Sequence, residues 1–107
     1  MPVTLITGVN GFTGHYLATE LARRGHRVVG VVREPVNGTV PGVDQVYVGD
    51  IAEPDTIGGI VAEVAPDYVI HLAAIAFVAH GDIFEMYRTN MFGTRCLLES
   101  CKALPRP

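Results

Sequence analysis

The chain has 107 residues, 49% of them hydrophobic, 18% charged and 7% aromatic, with a formal charge of −3 and a mean hydropathy of +0.31. That length makes one domain at most, able to bury a real core with little margin for a missing element. Eleven acidic against eight basic residues leave no basic field for nucleic acid phosphates. The first apolar run, Val3 to Ile6, is too short for a signal peptide or a membrane span, so a cytoplasmic protein without nucleic acid or membrane partners is expected.

Met1 to Thr7 is a β-branched apolar run ending in Gly8, the pattern of a strand buried on both faces. Leu17, Ala18, Leu21 and Ala22 then recur at helical spacing, with Arg23 and Arg24 in the last turn and Gly25 as the stop. Val28 to Val32 reads as a second buried strand, Pro35 to Gly42 as a loop, and Gln45 to Val48 as a short third strand. Between Pro54 and Val64, residues Ile57, Ile60, Val61 and Val64 mark one helix face, weakened by Gly58 and Gly59 and closed by Pro66. Tyr68 to Leu72 is a fourth strand, inside an apolar run that continues to Val78.

The last element predicted is one amphipathic helix from Ile83 to Ala103, with Phe84, Tyr87, Met91, Thr94, Leu98 and Cys101 along one stripe. Cys96 and Cys101 lie within it as reduced thiols, neither a disulfide framework nor a zinc spacing. Strands alternating with helices predict an α/β fold with a parallel sheet, and a glycine turn after the first strand points to the N-terminal half of a Rossmann-type doubly wound sheet of about four strands.

The glycine turn is the first functional motif. Thr7-Gly8-Val9-Asn10-Gly11-Phe12-Thr13-Gly14 joins strand to helix, the setting that separates a phosphate-binding turn from a chance cluster. Gly8 suits a positive φ, Gly11 lets the backbone approach a pyrophosphate, and Gly14 lets helix and strand sit close. The helix N-terminus adds unpaired N–H groups and a partial positive charge. A P-loop is excluded because no Lys-Ser or Lys-Thr follows; Lys102 is the chain's only lysine. The glycine spacing also differs from Gly-x-Gly-x-x-Gly.

With Gly49-Asp50-Ile51, His71-Leu72-Ala73-Ala74 and Asn90-Met91-Phe92-Gly93-Thr94, this loop resembles the short-chain dehydrogenase/reductase superfamily. The resemblance is to its extended branch of NAD(P)-dependent sugar-nucleotide epimerases, dehydratases and reductases, in wording most like the GDP-mannose 4,6-dehydratases and GDP-4-keto-6-deoxymannose reductases. It implies cofactor contacts from Gly8, Asn10, Gly11, Phe12, Thr13 and Gly14. It also implies an Asp50 carboxylate accepting from the adenine amino group, Ile51 backbone against the ring, Leu72, Ala73 and Ala74 at a ribose, and an Asn90 amide tying its helix to strand backbone. The plainer readings are a helix-capping Asp50 beside Glu53 and Asp55, a surface Asn90, and Ala73-Ala74 as core packing. His71 is read as a hydrogen-bonded core histidine, and His15, His26 and His80 as scattered residues that form no metal site.

Arg33, just after the second strand, is placed to hold a ribose 2′-phosphate, so NADP(H) is the expected cofactor and NAD the alternative; Glu34 beside it would neutralise Arg33 or take a 2′-hydroxyl instead. The resemblance also implies a Tyr-x-x-x-Lys pair for proton transfer, and this sequence has none, since Leu98 stands four residues before Lys102. Residues 1–107 are therefore expected to be the N-terminal portion of an NAD(P)-binding domain, without the catalytic and nucleotide-sugar-binding parts and inactive alone. Apolar Ile75-Ala76-Phe77-Val78 departs from the polar residues usual there. The alternatives are a non-catalytic dinucleotide sensor or interaction module and a nucleotide-free structural subunit. The resemblance further implies a homodimer through the helix from Ile83 to Ala103.

Overall fold

Strands rich in Val and Ile that are buried on both faces need helices on both sides, and the chain supplies them. The structure, a computed structural model, describes residues 1–74 and 83–105. Its strands are β1 (Val3–Thr7), β2 (Arg27–Val32), β3 (Gln45–Val48) and β4 (Tyr68–His71). They form one sheet, all parallel, in the order β3-β2-β1-β4. Leu5 stands opposite Val29 and Val69, and Thr7 opposite Val31 and His71. The chain winds outward from β1 to β3, then returns to the other side of β1 for β4. The strand order thus reverses at β1, where doubly wound sheets open a crevice at their carboxyl ends.

Period-two alternation divides the strand residues between two cores. Leu5, Val29 and Val31 face Ile57, Ile60 and Val61 of α2 (Pro54–Val64), together with Cys96 and Leu97. Ile6, Val28 and Val32 face Val9 and Ala18, the latter on α1 (Phe12–Arg23). Gly25, at φ +87°, follows the end of α1 as expected. α2 begins with Pro54 in its first turn and ends where Ala65 turns left-handed at φ 46°, just before Pro66.

The C-terminal helix differs from the expected single α-helix. It comprises α3 (Ile83–Tyr87), a π-helical turn over Arg88–Gly93, and α4 (Thr94–Cys101), and it stops short of Ala103. The wider turn shifts the faces, so a count of three and four residues does not follow one side through it. The face packed on the domain is made instead of Thr89, Gly93, Cys96 and Leu97, all buried. A Cβ on Gly93 would fall 2.7 Å from Ile51 Cγ1, so a glycine lets the helix lie this close. Phe84, Tyr87, Met91 and Leu98 of the expected stripe are exposed, Phe84 by 88%.

Cys96 and Cys101 are free thiols. β4 forms an edge of the described sheet. The apolar departure at Ile75-Ala76-Phe77-Val78 and His80 lie outside the described residues.

Candidate functional site

At the carboxyl end of β1 the chain turns through Gly8, whose φ of +69° suits glycine. Space demands glycine there as well: a Cβ would meet Ala73 N at 2.9 Å, so the turn lies directly on the end of β4. Gly14, in the first turn of α1, sits equally close, with its would-be Cβ 2.7 Å from Gly8 O and Val9 O. Gly11 occupies the N-cap position of α1 at an ordinary φ of −77°, and no side chain caps the helix. The first N–H groups of α1 lack intrahelical carbonyls by geometry, which makes this terminus a ready anion site.

The other end of the crevice is ionic. Asp50 follows β3, and its carboxylate accepts from the Ala52 N–H at 2.9 Å and from Arg88 Nη1 at 2.7 Å. This is a turn and an ion pair, not a cap on α2, whose N-cap position is held by Glu53. Burial alone would raise the Asp50 carboxyl, but the Arg88 and Ala52 hydrogen bonds and the charges of Arg88 and Arg33 hold it below its ordinary value. Arg88 also reaches Glu53 at 2.8 Å and Glu85 at 3.4 Å. Arg33 pairs with Glu85 at 2.6 Å, a partner 52 positions along the chain, while its neighbour Glu34 is exposed.

Between these ends the strand termini are locked by a hydroxyl and imidazole relay. Thr94 Oγ1 donates to the Asn90 carbonyl at 2.7 Å, which leaves its oxygen to accept from His71 Nε2–H at 2.9 Å. His71 Nδ1 is then the acceptor for the Thr7 hydroxyl at 2.7 Å. Thr7 Oγ1 in turn accepts from the Leu72 and Ala73 N–H groups at 3.1 and 3.2 Å. Every ring nitrogen has a partner in this arrangement, and burial pushes the His71 pKa down, so the neutral ring is favoured. His71 is thus the structural histidine expected, and the relay ties β1, β4 and the C-terminal helix at the crevice floor.

A cleft of about 220 Å³ results, lined by Gly8, Asn10, Arg33, Asp50, Ile51, Ala73 and Ala74 among the expected residues, with Val31, Glu34 and Thr89. Gly11, Phe12, Thr13 and Gly14 lie beyond its wall on the turn and first turn of α1, where Phe12 is exposed and meets the Tyr16 ring at a tilt of 60°, with centroids 5.4 Å apart. The Leu72 side chain packs into the α1-side core. Asn90 is half-buried in the π-helical turn. A larger hollow of about 750 Å³ sits at the opposite end of the sheet, among Pro2, Pro66, Tyr68 and Leu104. Parallel sheets place ligands at their carboxyl ends, so the smaller cleft is the candidate.

Sequence reasoning missed Arg88 and Glu85, and held Thr7 and Thr94 only as members of their motifs, without the relay they form. Only the spacing of Glu85 and Arg88, three apart on a helix, signalled a pair locally; the partners of Arg88 in Asp50 and Glu53 are too distant in sequence to read. No helix among the described residues is long and apolar enough to cross a membrane.

A family model described as the NAD dependent epimerase/dehydratase family matches residues 4–106. The chain is 32% identical over 117 residues to GDP-mannose 4,6-dehydratase of Vibrio cholerae serotype O1, covering 95% of this chain and 31% of that protein. Among solved structures it resembles UDP-glucose 4-epimerase from Brucella ovis in complex with NAD, with a TM-score of 0.83 and 29% identity over 95% of this chain and 32% of that one. The UDP-glucose 4-epimerase of Thermus thermophilus, also a complex with NAD, gives a TM-score of 0.82 at 27% identity, covering 94% and 33%. The chain therefore spans about a third of the length of the proteins it matches.

Proposed function

The chain belongs to the NAD-dependent epimerase/dehydratase family, and from that premise we propose that its cleft holds a nicotinamide dinucleotide for hydride transfer to and from a nucleotide-linked sugar in the whole protein. One observation carries the reading: Gly8 and Asn10 of the glycine turn, Asp50-Ile51 and Ala73-Ala74, far apart in sequence, line a single cleft where the strand order reverses. The residues fit the group. An uncapped helix N-terminus and a turn whose Gly8 and Gly14 leave no room for a Cβ suit a pyrophosphate. Asp50, kept ionised by Arg88, offers an acceptor to an adenine amino group.

When bound, the dinucleotide supplies the hydride acceptor or donor; this chain's residues bind and orient it. The family description and the relatives' NAD complexes support NAD as the cofactor. Arg33 on the cleft wall favours NADP(H) as the second reading. Since the sequence has no Tyr-x-x-x-Lys pair, the 107 residues bind without turning over any sugar nucleotide. The exposed Phe84, Tyr87, Met91 and Leu98 suit packing against a second copy of the C-terminal helix in a homodimer. A Leu98→Glu chain sedimenting as a monomer, against a dimer for the unaltered chain, is the result expected of that pairing; a monomer for both removes it.

Calorimetric titration of NAD⁺ into the purified chain tests the main reading. One-to-one saturable binding is expected, with added GDP-mannose or UDP-glucose recovered unconverted on chromatography, since a reaction that returns its hydride to the sugar leaves no reduced nicotinamide to read. Absence of binding to the folded chain overturns the reading, and turnover overturns the assignment of this part as a binding portion alone.

A further inference from the structure

We propose that Glu85 sets the dinucleotide preference of the cleft, holding Arg33 so that the site favours a free ribose 2′-hydroxyl over a 2′-phosphate despite an arginine at the end of β2. This rests on the reading that the cleft binds a dinucleotide.

Arg33 directly follows β2, the position from which doubly wound folds recognise the adenosine ribose. Its guanidinium is engaged: Nη2 lies 2.6 Å from Glu85 Oε1, on a helix that follows β4 in the chain. The same oxygen stands 3.4 Å from Arg88 Nη1 and 3.4 Å from Thr89 Oγ1, so the carboxylate is fixed by donors on its own helix as well as by Arg33. Both members of the Arg33 pair are partly shielded, with side chains 44% and 24% exposed.

A 2′-phosphate carries close to two negative charges at neutral pH. To take Arg33 it must displace the Glu85 carboxylate and then remain beside it. It would also enter a group in which Glu34, Asp50, Glu53 and Glu85 outnumber Arg33 and Arg88. A 2′-hydroxyl meets neither obstacle, because it needs only an acceptor, and Glu34 is among the residues lining the cleft. An arginine that reads as an NADP determinant in sequence is thereby neutralised by a glutamate from across the cleft.

Titration of NAD⁺ and NADP⁺ into the chain and its variants tests this, using the ratio of the two Kd values, which is independent of the folded fraction of a sample. The unaltered chain is expected to bind NAD⁺ more tightly. Glu85→Gln frees Arg33 and lowers the Kd ratio of NADP⁺ to NAD⁺ by about tenfold, mainly by tightening NADP⁺. Arg33→Ala alone weakens NADP⁺ by less than about threefold, because the guanidinium is already occupied. An unchanged ratio in Glu85→Gln, loss of both dinucleotides in that folded variant, or an NADP⁺ preference in the unaltered chain overturns the proposal. If Glu85→Gln does not fold, a large loss of NADP⁺ affinity in Arg33→Ala overturns it, and a small one supports it. Failure of the unaltered chain to bind either dinucleotide removes the cleft reading itself, and the role of Glu85 with it.

Discussion

The two ends of the cleft are built on different physics. At the glycine turn the positions are held by backbone: Gly8 lies on Ala73, Gly14 lies on Gly8 and Val9, and no charged side chain takes part. At the opposite end Arg88 and Arg33 hold Asp50, Glu53 and Glu85 through partly exposed ion pairs. Close-packed backbone tolerates no added atom, whereas partly solvated ion pairs are worth little to stability and are screened by salt. The glycine end should therefore fail abruptly on substitution, and the charged end should be tunable.

The largest effect is expected from Gly14→Val. Its Cβ would press on backbone atoms at 2.7 Å that have no rotamer to escape into, and the cost, about 3 kcal/mol, would remove much of the stability of a domain this small. The midpoint of urea denaturation checks it, and an unshifted midpoint breaks the contrast between the two ends. Gly11→Val separates folding from binding at the same turn, since its Cβ would meet only Gly8 O, at 3.3 Å. Unfolding stability is expected to fall by about 1 kcal/mol or less while dinucleotide affinity is lost, to be read by circular dichroism and titration on one sample.

Acid gives the next effect. The folded pKa of His71 lies below its ordinary value of 6.5, so the neutral ring contributes stability that is complete above that pH and is lost as pH falls below it. Asp50 has the same sign in a lower window, its contribution present above 3.8 and lost as pH falls beneath that value. Denaturation midpoints at pH 7.5 and 5.5 should fall with acid in the natural chain, and the fall should shrink in His71→Gln; an equal fall in both would remove His71 as its source. The smallest effect is expected of Arg88→Gln. It should leave the midpoint nearly unchanged but weaken NAD⁺ by about threefold at low salt, with the difference shrinking in 0.5 M salt as the pair is screened.

The same contrast explains what the sequence made legible. Strand and helix periods, Gly8 with its positive φ, and the close approach at Gly14 are local consequences of local residues, and the sheet order follows from how such units wind. Asp50 and Ala73-Ala74 were legible through the resemblance. Arg88 was not, because its acidic partners Asp50 and Glu53 lie 38 and 35 positions upstream, and only the fold brings them together. Nor was the pairing of Arg33 with Glu85, for which the adjacent Glu34 was the candidate in sequence. The buried face of the C-terminal helix escaped for another reason: hydrophobic periodicity weighs Phe84 and Met91 heavily, and the contact is made by Leu97 with Thr89, Gly93 and Cys96, three residues whose value is small size.

Backbone amide shifts in the NMR spectrum during NAD⁺ titration test the central claim most directly, because they report which end of the sheet holds the ligand. The account predicts saturable shifts at Gly8 to Gly14, at Asp50 to Ala52 and at Ala73 and Ala74, with little change at Tyr68 and Leu104 around the larger hollow. Shifts concentrated at Asp67, Tyr68 and Leu104, with the glycine turn unmoved, would contradict it.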